Sequence, residues 1–151
     1  MVGIVILNYK NYKEAIKCVD SLLNDNYSDV EIVIVDNGSG NDSVKVFNER
    51  YGNNSNICII PLENNIGYAK GNNVGISYLR GKGIENIFIA NSDLIFPSSP
   101  LLNQMVDEIG NGDAVIVPTI KNLDGGNDQR VIYKKKMFFL RMFKELIKSI
   151  L

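Results

Sequence analysis

"EIVIVDNGSGND", residues 31–42, joins a run of four β-branched residues to a dense cluster of turn-forming residues. Valine and isoleucine favour strands, and a short apolar run bounded by turn residues is typical of a strand buried on both faces. Asp36 and Asn37 stand where this strand would end, and glycines and small polar residues follow them. The stretch therefore predicts a buried strand that carries a carboxylate at its carboxyl end.

The same arrangement recurs along the chain, as short apolar strands that alternate with amphipathic segments. Strands are predicted at residues 2–7, 31–35, 57–60, 87–90 and 114–117. Helices are predicted at residues 12–24, 43–50, 68–79 and 100–109, with Asn11 and either Asp42 or Ser43 as N-caps. The alternation predicts an α/β fold, a mostly parallel sheet with helices on both faces.

The composition limits the class of protein. A chain of 151 residues suffices for one domain with a sizeable core, and a net charge of −1 gives no indication of nucleic acid binding. The absence of histidine excludes Ser-His-Asp and Cys-His catalysis and the usual zinc sites. Cys18 and Cys58 lie among apolar residues, so we expect free core thiols and a reducing cytosol. We expect neither a signal peptide nor a membrane-spanning segment.

The charge is unevenly distributed. Residues 133–151 contain six basic residues and a single acid, Glu145, whereas the rest of the chain is acidic overall. We therefore divide the chain into a domain at 1–132 and a basic tail at 133–151, which is predicted to be an amphipathic helix. Its apolar face indicates either packing on the domain or on a second copy of the chain, or attachment to an anionic membrane surface.

Polar residues follow three of the predicted strands. Because right-handed crossovers place the carboxyl ends of parallel strands at one edge, we expect these residues to lie close together. In open α/β sheets ligands bind at this edge, where the strand order reverses. The residues are Asn8 and Tyr9 after the first strand, Asp36 and Asn37 after the second, and Asn91 and Asp93 after the fourth.

The common nucleotide-binding loops are missing from the sequence. Residues 7–12, LNYKNY, follow the first strand in place of G-x-G-x-x-G, and neither a P-loop motif nor the paired acids of a phosphoacceptor site is present. What remains is a cleft with two carboxylates and several amides.

Its chemistry suits a nucleotide. Asp93 lies two residues after Asn91, a spacing that suits a hard divalent cation bridging phosphates. Asp93 also lies among apolar residues, so we expect its carboxylate to need a partner. Asp36 can accept a hydrogen bond from a base or a ribose, and the glycines at 67–71 permit close approach to a helix N-terminus, where N–H groups favour anions.

Each of these features also has a plainer explanation. Asp36 can serve only as a turn former, and Asp93 only as a cap for the next turn. Asn8 and Asn73 can be structural, and Tyr9 can be an aromatic residue at the rim of the domain. The residues alone leave both interpretations open.

Four segments together resemble a known family. They are VGIVILNYKNYKEAIKCVDSLL (2–23), VEIVIVDNGSGND (30–42), NNIGYAKGNNVGI (64–76) and IFIANSDLIF (87–96). In this order and spacing they resemble the amino-terminal blocks of family 2 glycosyltransferases with a GT-A fold, especially the rhamnosyltransferase-like group of bacterial polysaccharide synthesis. The resemblance extends over residues 2–125 and includes VPTIKNLDG (117–125).

The resemblance implies a GT-A (Rossmann-like) sheet with a nucleotide-sugar site at its edge. Asp36 would bind the nucleobase or ribose, and Asn91-Ser92-Asp93 would stand in for the Asp-x-Asp motif of the family. Asp93 would then reach a Mg²⁺ or Mn²⁺ ion on the diphosphate, although Asn91 provides one charge fewer than aspartate. The other implied nucleotide-binding residues are Asn8, Tyr9, Asn37, Gly67, Ala69 and Asn73.

The implied activity is transfer of a sugar from a UDP- or dTDP-type donor to a saccharide or lipid-linked acceptor in cell-surface polysaccharide synthesis. The free thiols indicate the cytoplasm, and the basic tail would allow the chain to lie at the inner face of the membrane. The family has its acceptor-activating base well after the fifth strand, where this chain has only Glu145 beyond Asp128, so no catalytic residue is identified. The alternative is a nucleotide-sugar-binding module without turnover, a GT-A domain truncated after its fifth strand.

Overall fold

The computed structural model describes residues 1–24, 28–96, 101–110, 118, 120 and 121. In chain order the elements are β1 (Val2–Asn8), α1 (Tyr12–Leu23), β2 (Val30–Asp36), α2 (Ser43–Tyr51), β3 (Ile57–Pro61), α3 (Tyr68–Gly81), β4 (Ile87–Asn91) and α4 (Leu101–Gly110). Each was predicted from the sequence, with ends that differ by one or two residues. The predicted strand at 114–117 and the tail at 133–151 lie outside the described residues.

The four strands form one parallel sheet in the order β3-β2-β1-β4. Strands are added on one side of β1 until β3, and the chain then returns to place β4 on the other side of β1. The strand order therefore reverses between β1 and β4, where a crevice forms at the carboxyl edge. In register, Asn8 lies beside Asp36, and Leu7 lies beside Asn91.

Alternate residues of the central strands pack on opposite faces of the sheet. Val2, Ile4 and Ile6 of β1 are fully buried in a cluster that includes residues of α1, α2 and α4. Val5 of β1 packs on the other face, with Val33 and Val35 of β2 and Leu79 of α3. The prediction of helices on both faces of a parallel sheet is thus confirmed.

Helix α3 approaches the sheet closely through two glycines that lie one helical turn apart. A Cβ atom added at Gly71 would lie 2.6 Å from Leu7 Cδ1, and one added at Gly75 would lie 2.6 Å from Val5 Cγ1. A larger residue at either position would require the side chain of Leu7 or Val5, or the helix itself, to shift. The close approach of α3 to β1 determines the position of the amino end of α3 at the carboxyl edge of the sheet.

The predicted helix caps are wrong in detail. Asn11 and Asp42 occupy the N-cap positions of α1 and α2, but neither side chain makes a capping hydrogen bond. The Ser43 N–H is instead satisfied by Oδ1 of Asn41 at 3.0 Å, a local side-chain turn that replaces the cap.

We predict that Gly75→Ala lowers the free energy of unfolding by about 1–3 kcal/mol, because the new methyl group would collide with the stiff side chain of Val5. Gly81→Ala is the matched control on the same helix, since its Cβ would have no neighbour within 4 Å. The control should be neutral or more stable by up to ~1 kcal/mol through helix propensity. Urea denaturation of both variants measures the difference, and equal stabilities would contradict the packing described for α3.

Candidate functional site

The carboxylate of Asp36 is the centre of a buried hydrogen-bond network at the ends of β1 and β2. Asp36 is 2% exposed, and Asn8 is fully buried. Oδ2 of Asp36 accepts hydrogen bonds from Asn8 Nδ2 at 2.7 Å and from Ser39 Oγ at 2.8 Å, and Oδ1 accepts one from Ser39 N at 2.9 Å. The structure thus brings together two of the predicted site residues, Asn8 and Asp36.

This network leaves acceptor capacity unused. A carboxylate offers about four lone-pair positions, and the three bonds described leave one position on Oδ1 of Asp36. Oδ1 of Asn8 is also buried and has no partner among the described residues, while Nδ2 of the same amide donates to Asp36 and to Ser39. Both unused positions are acceptors, so a group that reached them would have to carry an N–H or O–H donor.

The loop after β1 is held against the loop after β2. The N–H of Lys10 donates to Ser39 Oγ at 2.8 Å, and the Lys10 carbonyl oxygen accepts from Asn41 Nδ2 at 3.3 Å. Lys10 adopts φ of 63°, a left-handed conformation that costs a lysine about 1–2 kcal/mol. The clamped loop keeps this strained conformation and fixes the position of Tyr9.

Tyr9 is a half-exposed aromatic residue beside the network. Its side chain is 43% exposed, and Lys10 Nζ lies 5.1 Å from the centre of its ring. The pKa of Tyr9 is lowered, first by a side-chain hydrogen bond with Asn65 and then by Lys10. Tyr9 therefore has an accessible ring on which a planar base could stack.

Asn37 faces the side of the sheet opposite to Asp36 and holds the loop that leads into α3. Its Nδ2 donates to Asn65 Oδ1 at 3.0 Å and to the Gly67 carbonyl at 3.5 Å, and its Oδ1 accepts from Ile66 N at 3.0 Å. Asn37 is 2% exposed, so its amide is committed to this loop. The predicted residues Asn37 and Gly67 are thus in direct contact.

Gly38 brings the same two loops into backbone contact. It has φ of 68°, and a Cβ atom there would lie 2.3 Å from the carbonyl carbon of Asn64. Gly67 has φ of 88° at the N-cap of α3, with open space around it. Gly38 is therefore required for packing and conformation, and Gly67 for its conformation.

The remaining residues predicted along the nucleotide lie at the start of α3. Ala69 and Asn73 are exposed. The neighbouring Asn72 is 3% exposed, its Nδ2 donates to the Tyr68 carbonyl at 3.0 Å, and its Oδ1 has no partner among the described residues. The roles of Ala69 and Asn73 stay predictions.

The end of β4 lies on the other side of β1. Asn91 is exposed, and its Oδ1 accepts a hydrogen bond from the hydroxyl of Tyr68 at 2.8 Å. Strands lie about 4.8 Å apart, so two strand spacings put roughly 10 Å between the backbones of Asp36 and Asn91. This distance is the scale of a nucleoside diphosphate lying across the end of β1.

Asp93 is exposed, so burial does not impose the partner that was expected for its carboxylate, and its role in cation binding stays a prediction. Exposure alternates along residues 91–96, where Leu94 and Phe96 pack against the core while Asp93 faces solvent. The carboxylate is therefore hydrated and needs no protein partner.

The thiol of Cys18 lies beneath this end of the sheet. Its Sγ donates to the carbonyl oxygen of Asn91 at 3.6 Å. Burial, and secondarily the charge of Asp93, raises the pKa of Cys18 to about 12. The thiol is therefore protonated at neutral pH and is a poor nucleophile.

Asp93 is an exposed acid at the end of β4 and could hold a divalent cation there. Among the described residues no three Asp, Glu or Cys side chains come together as a ready-made metal site. Mg²⁺ commonly binds through one or two carboxylates, substrate phosphates and water. The single carboxylate of Asp93 fits a cation that arrives with a diphosphate.

Sequence reasoning missed three residues of the site, Ser39, Asn65 and Tyr68. Ser39 lies three residues after Asp36, a spacing at which a side chain can hydrogen-bond back to the turn, so local pattern could have found it. Asn65 and Tyr68 form hydrogen bonds with Asn37 and Asn91, which lie more than twenty positions away in the sequence, so no short sequence pattern identifies them.

A cavity of about 400 Å³ lies elsewhere, at the amino end of β4. Arg80, Gly83, Ile84 and Glu85 line it. It is at the edge of the sheet opposite to the polar network. In the part of the chain that the structure describes, no helix is long and apolar enough to cross a membrane.

Comparison with known proteins identifies relatives of this chain. Residues 3–150 match the family model described as glycosyl transferase family 2. Glycosyltransferase GlyG of Streptococcus pneumoniae serotype 4 is 26% identical over 134 residues, which are 88% of this chain and 43% of GlyG. Chondroitin synthase of Escherichia coli is 32% identical over 81 residues, which are 54% of this chain and 12% of the synthase.

Solved structures show the same fold. The crystal structure of residues 1–349 of TarS from S. aureus matches 89% of this chain with a TM-score of 0.69 and 21% identity, and 40% of that chain is covered. The same fragment in complex with UDP-GlcNAc matches equally well, with 38% of that chain covered. This chain spans less than half the length of these relatives.

Two findings therefore agree. The structure is a parallel sheet in the order β3-β2-β1-β4, with helices on both faces and polar residues at its carboxyl edge, and the family model matches nearly the whole chain. The chain belongs to glycosyl transferase family 2 and has its GT-A fold.

Proposed function

We propose that this chain binds the sugar donor of a glycosyltransferase that transfers a sugar from a nucleoside diphosphate to a saccharide or lipid-linked acceptor in cell-surface polysaccharide synthesis. The observation that carries the proposal is the buried Asp36 network, which fixes two loops at the carboxyl edge and retains a free acceptor position. The structures of TarS with UDP-GlcNAc and with UDP support a uridine nucleotide as the donor.

The base would lie at the ends of β1 and β2. The remaining acceptor position on Asp36 Oδ1 suits the N3–H donor of uracil or thymine, and adenine has no such donor in the corresponding position. The exposed ring of Tyr9 would stack on the base, while Asn8 and Asn37 hold the walls of the pocket.

The diphosphate would lie across the end of β1 toward β4. Gly67, Ala69 and Asn73 would line the nucleotide on the side of α3, where the unpaired N–H groups of the first turn favour anions. Asn91 and Asp93 would lie beside the phosphates, with Asp93 holding Mg²⁺ or Mn²⁺. Such a cation stabilises the charge that develops on the diphosphate when its bond to the sugar breaks.

The acceptor side of the reaction calls for a base on the attacking hydroxyl, and no described residue is assigned this role. Binding of the donor without turnover is therefore the alternative for this 151-residue chain on its own. Comparing UDP binding with release of UDP from a UDP-sugar in the presence of acceptor separates the two. For location we propose the cytoplasm, with the basic residues 133–151 attaching the chain to the inner face of an anionic membrane.

We predict that UDP binds more tightly than ADP by about 1–3 kcal/mol, the scale of a hydrogen bond to a charged group. Asp36→Asn should remove most of this preference, as measured by calorimetry with both nucleotides. Ser39→Ala is the matched control, because it removes the hydrogen bonds made by Ser39 Oγ with Asp36, Asn8 and Lys10 but keeps both the carboxylate and the backbone N–H that donates to it. The control should keep the preference for UDP even if it unfolds more easily. Equal affinities of the parent for UDP and ADP would refute the role of Asp36.

We predict that Mg²⁺ or Mn²⁺ strengthens UDP binding, and that Asp93→Ala abolishes this effect. The reason is that Asp93 provides the exposed carboxylate at the end of β4. Asp29→Ala is the control, since it removes an exposed carboxylate at the amino end of β2, at the opposite edge. Calorimetry with and without the cation compares the three proteins. An unchanged cation effect in Asp93→Ala would rule out Asp93 as the ligand.

A further inference from the structure

The hydroxyl of Tyr68 connects the first turn of α3 to the end of β4. It donates to Asn91 Oδ1 at 2.8 Å, although Tyr68 is 60% exposed and Asn91 is exposed as well. A hydrogen bond between two neutral, hydrated side chains adds little to the stability of the fold. The bond does, however, determine how the amide of Asn91 is oriented at the crevice.

Asn91 is fixed through both its backbone and its side chain. Its carbonyl oxygen accepts hydrogen bonds from Cys18 Sγ at 3.6 Å and from Leu94 N at 3.2 Å. Its Oδ1 faces Tyr68, so the planar amide turns Nδ2 away from Tyr68. Within the part of the chain that the structure describes, Nδ2 has no partner, and its two N–H bonds are available to a ligand.

An amide in this orientation suits an anion better than a cation. Its free group is a donor with two N–H bonds, which can bond to phosphoryl oxygens, whereas the oxygen that could bind a metal ion has one of its two lone pairs occupied by Tyr68. A carboxylate in the same place would repel a diphosphate unless a cation stood between them.

We propose that Tyr68 is a positioning residue that turns the Asn91 amide so that Nδ2 donates to a diphosphate oxygen of the nucleotide-sugar. This inference rests on the proposed function. Asn91 then binds the phosphate directly, and Asp93 alone responds to the divalent cation. A consequence is that UDP retains measurable affinity when divalent cations are removed.

The test is calorimetry with UDP and with uridine in the presence of EDTA, on the full 151-residue chain. Asn91→Ala should weaken UDP binding about tenfold, as expected for loss of a hydrogen bond to a charged group, and leave uridine unchanged. Tyr68→Phe should weaken UDP binding to a smaller extent, again without effect on uridine. The double variant should bind UDP as Asn91→Ala does, because Tyr68 acts through Asn91.

Two further variants make the test specific. Tyr78→Phe removes a hydroxyl near the other end of α3, where Tyr78 contacts Cys58, and should bind UDP as the parent does. Asn91→Asp should bind UDP more weakly than Asn91→Ala in EDTA and regain affinity with Mg²⁺, because the added charge then has a counterion. Melting temperatures of all variants check that each is folded.

The outcomes separate this inference from the proposed function. If the parent binds no nucleotide with or without Mg²⁺, the proposed function fails and this inference fails with it. If the parent binds UDP only with Mg²⁺, or if Asn91→Ala binds UDP in EDTA as the parent does, only the role of Asn91 fails. If the loss of UDP affinity in the double variant equals the sum of the losses in Tyr68→Phe and Asn91→Ala, Tyr68 does not act by positioning Asn91. The same conclusion follows if Tyr68→Phe weakens the binding of uridine as much as that of UDP.

Discussion

A buried carboxylate needs hydrogen-bond donors in place of water, and the donors that surround Asp36 determine the structure of the carboxyl edge of the sheet. Its partners come from β1 and from the turn after β2, so satisfying one charge fixes two loops at once. Ser39, bound to Asp36, in turn receives the N–H of Lys10 and so keeps a lysine in a left-handed conformation. Loss of a partner would leave an uncompensated polar group inside the domain, which costs more than the hydrogen bond contributes when it is formed. The backbone position of Tyr9 therefore depends on the hydrogen bonds that hold its two neighbours, Asn8 and Lys10, to Asp36 and Ser39.

The second organising constraint is the distance between α3 and the sheet. Gly71 and Gly75 allow the helix to lie directly on Leu7 and Val5, and Asn37 and Gly38 hold the loop that begins it. Two adjacent residues at the end of β2 thus hold different parts of the domain. Asp36 accepts a hydrogen bond from Asn8 of β1, whereas Asn37 hydrogen-bonds to the loop that leads into α3. The amino end of α3 is consequently held from two sides, and Tyr68 can reach the end of β4.

Much of this architecture could be predicted from the sequence, because hydrophobic periodicity and turn residues are local signals. The same patterns placed Asn8 and Asp36 side by side, since parallel strands share a carboxyl edge. The apolar neighbours of Asp93 did not reveal that it is exposed, because Leu94 and Phe96 alternate with it and pack against the core while Asp93 faces solvent. The bond between Tyr68 and Asn91 joins residues of two elements, and no sequence spacing reveals which side chains meet across a crevice.

The strand order has a consequence for how the molecule is assembled during synthesis. β1 and β2 pair across a short connection, so the Asp36 network can close once the chain has emerged to residue 39. β1 receives its other neighbour, β4, only after the chain has reached Asn91, and this more distant pairing closes a longer loop. The half of the crevice assigned to the base is therefore closed by a shorter loop, at a lower cost in chain entropy, than the half assigned to the phosphates. In any chain in which β4 has not yet paired, the second edge of β1 offers unpaired backbone N–H and C=O groups to other strands.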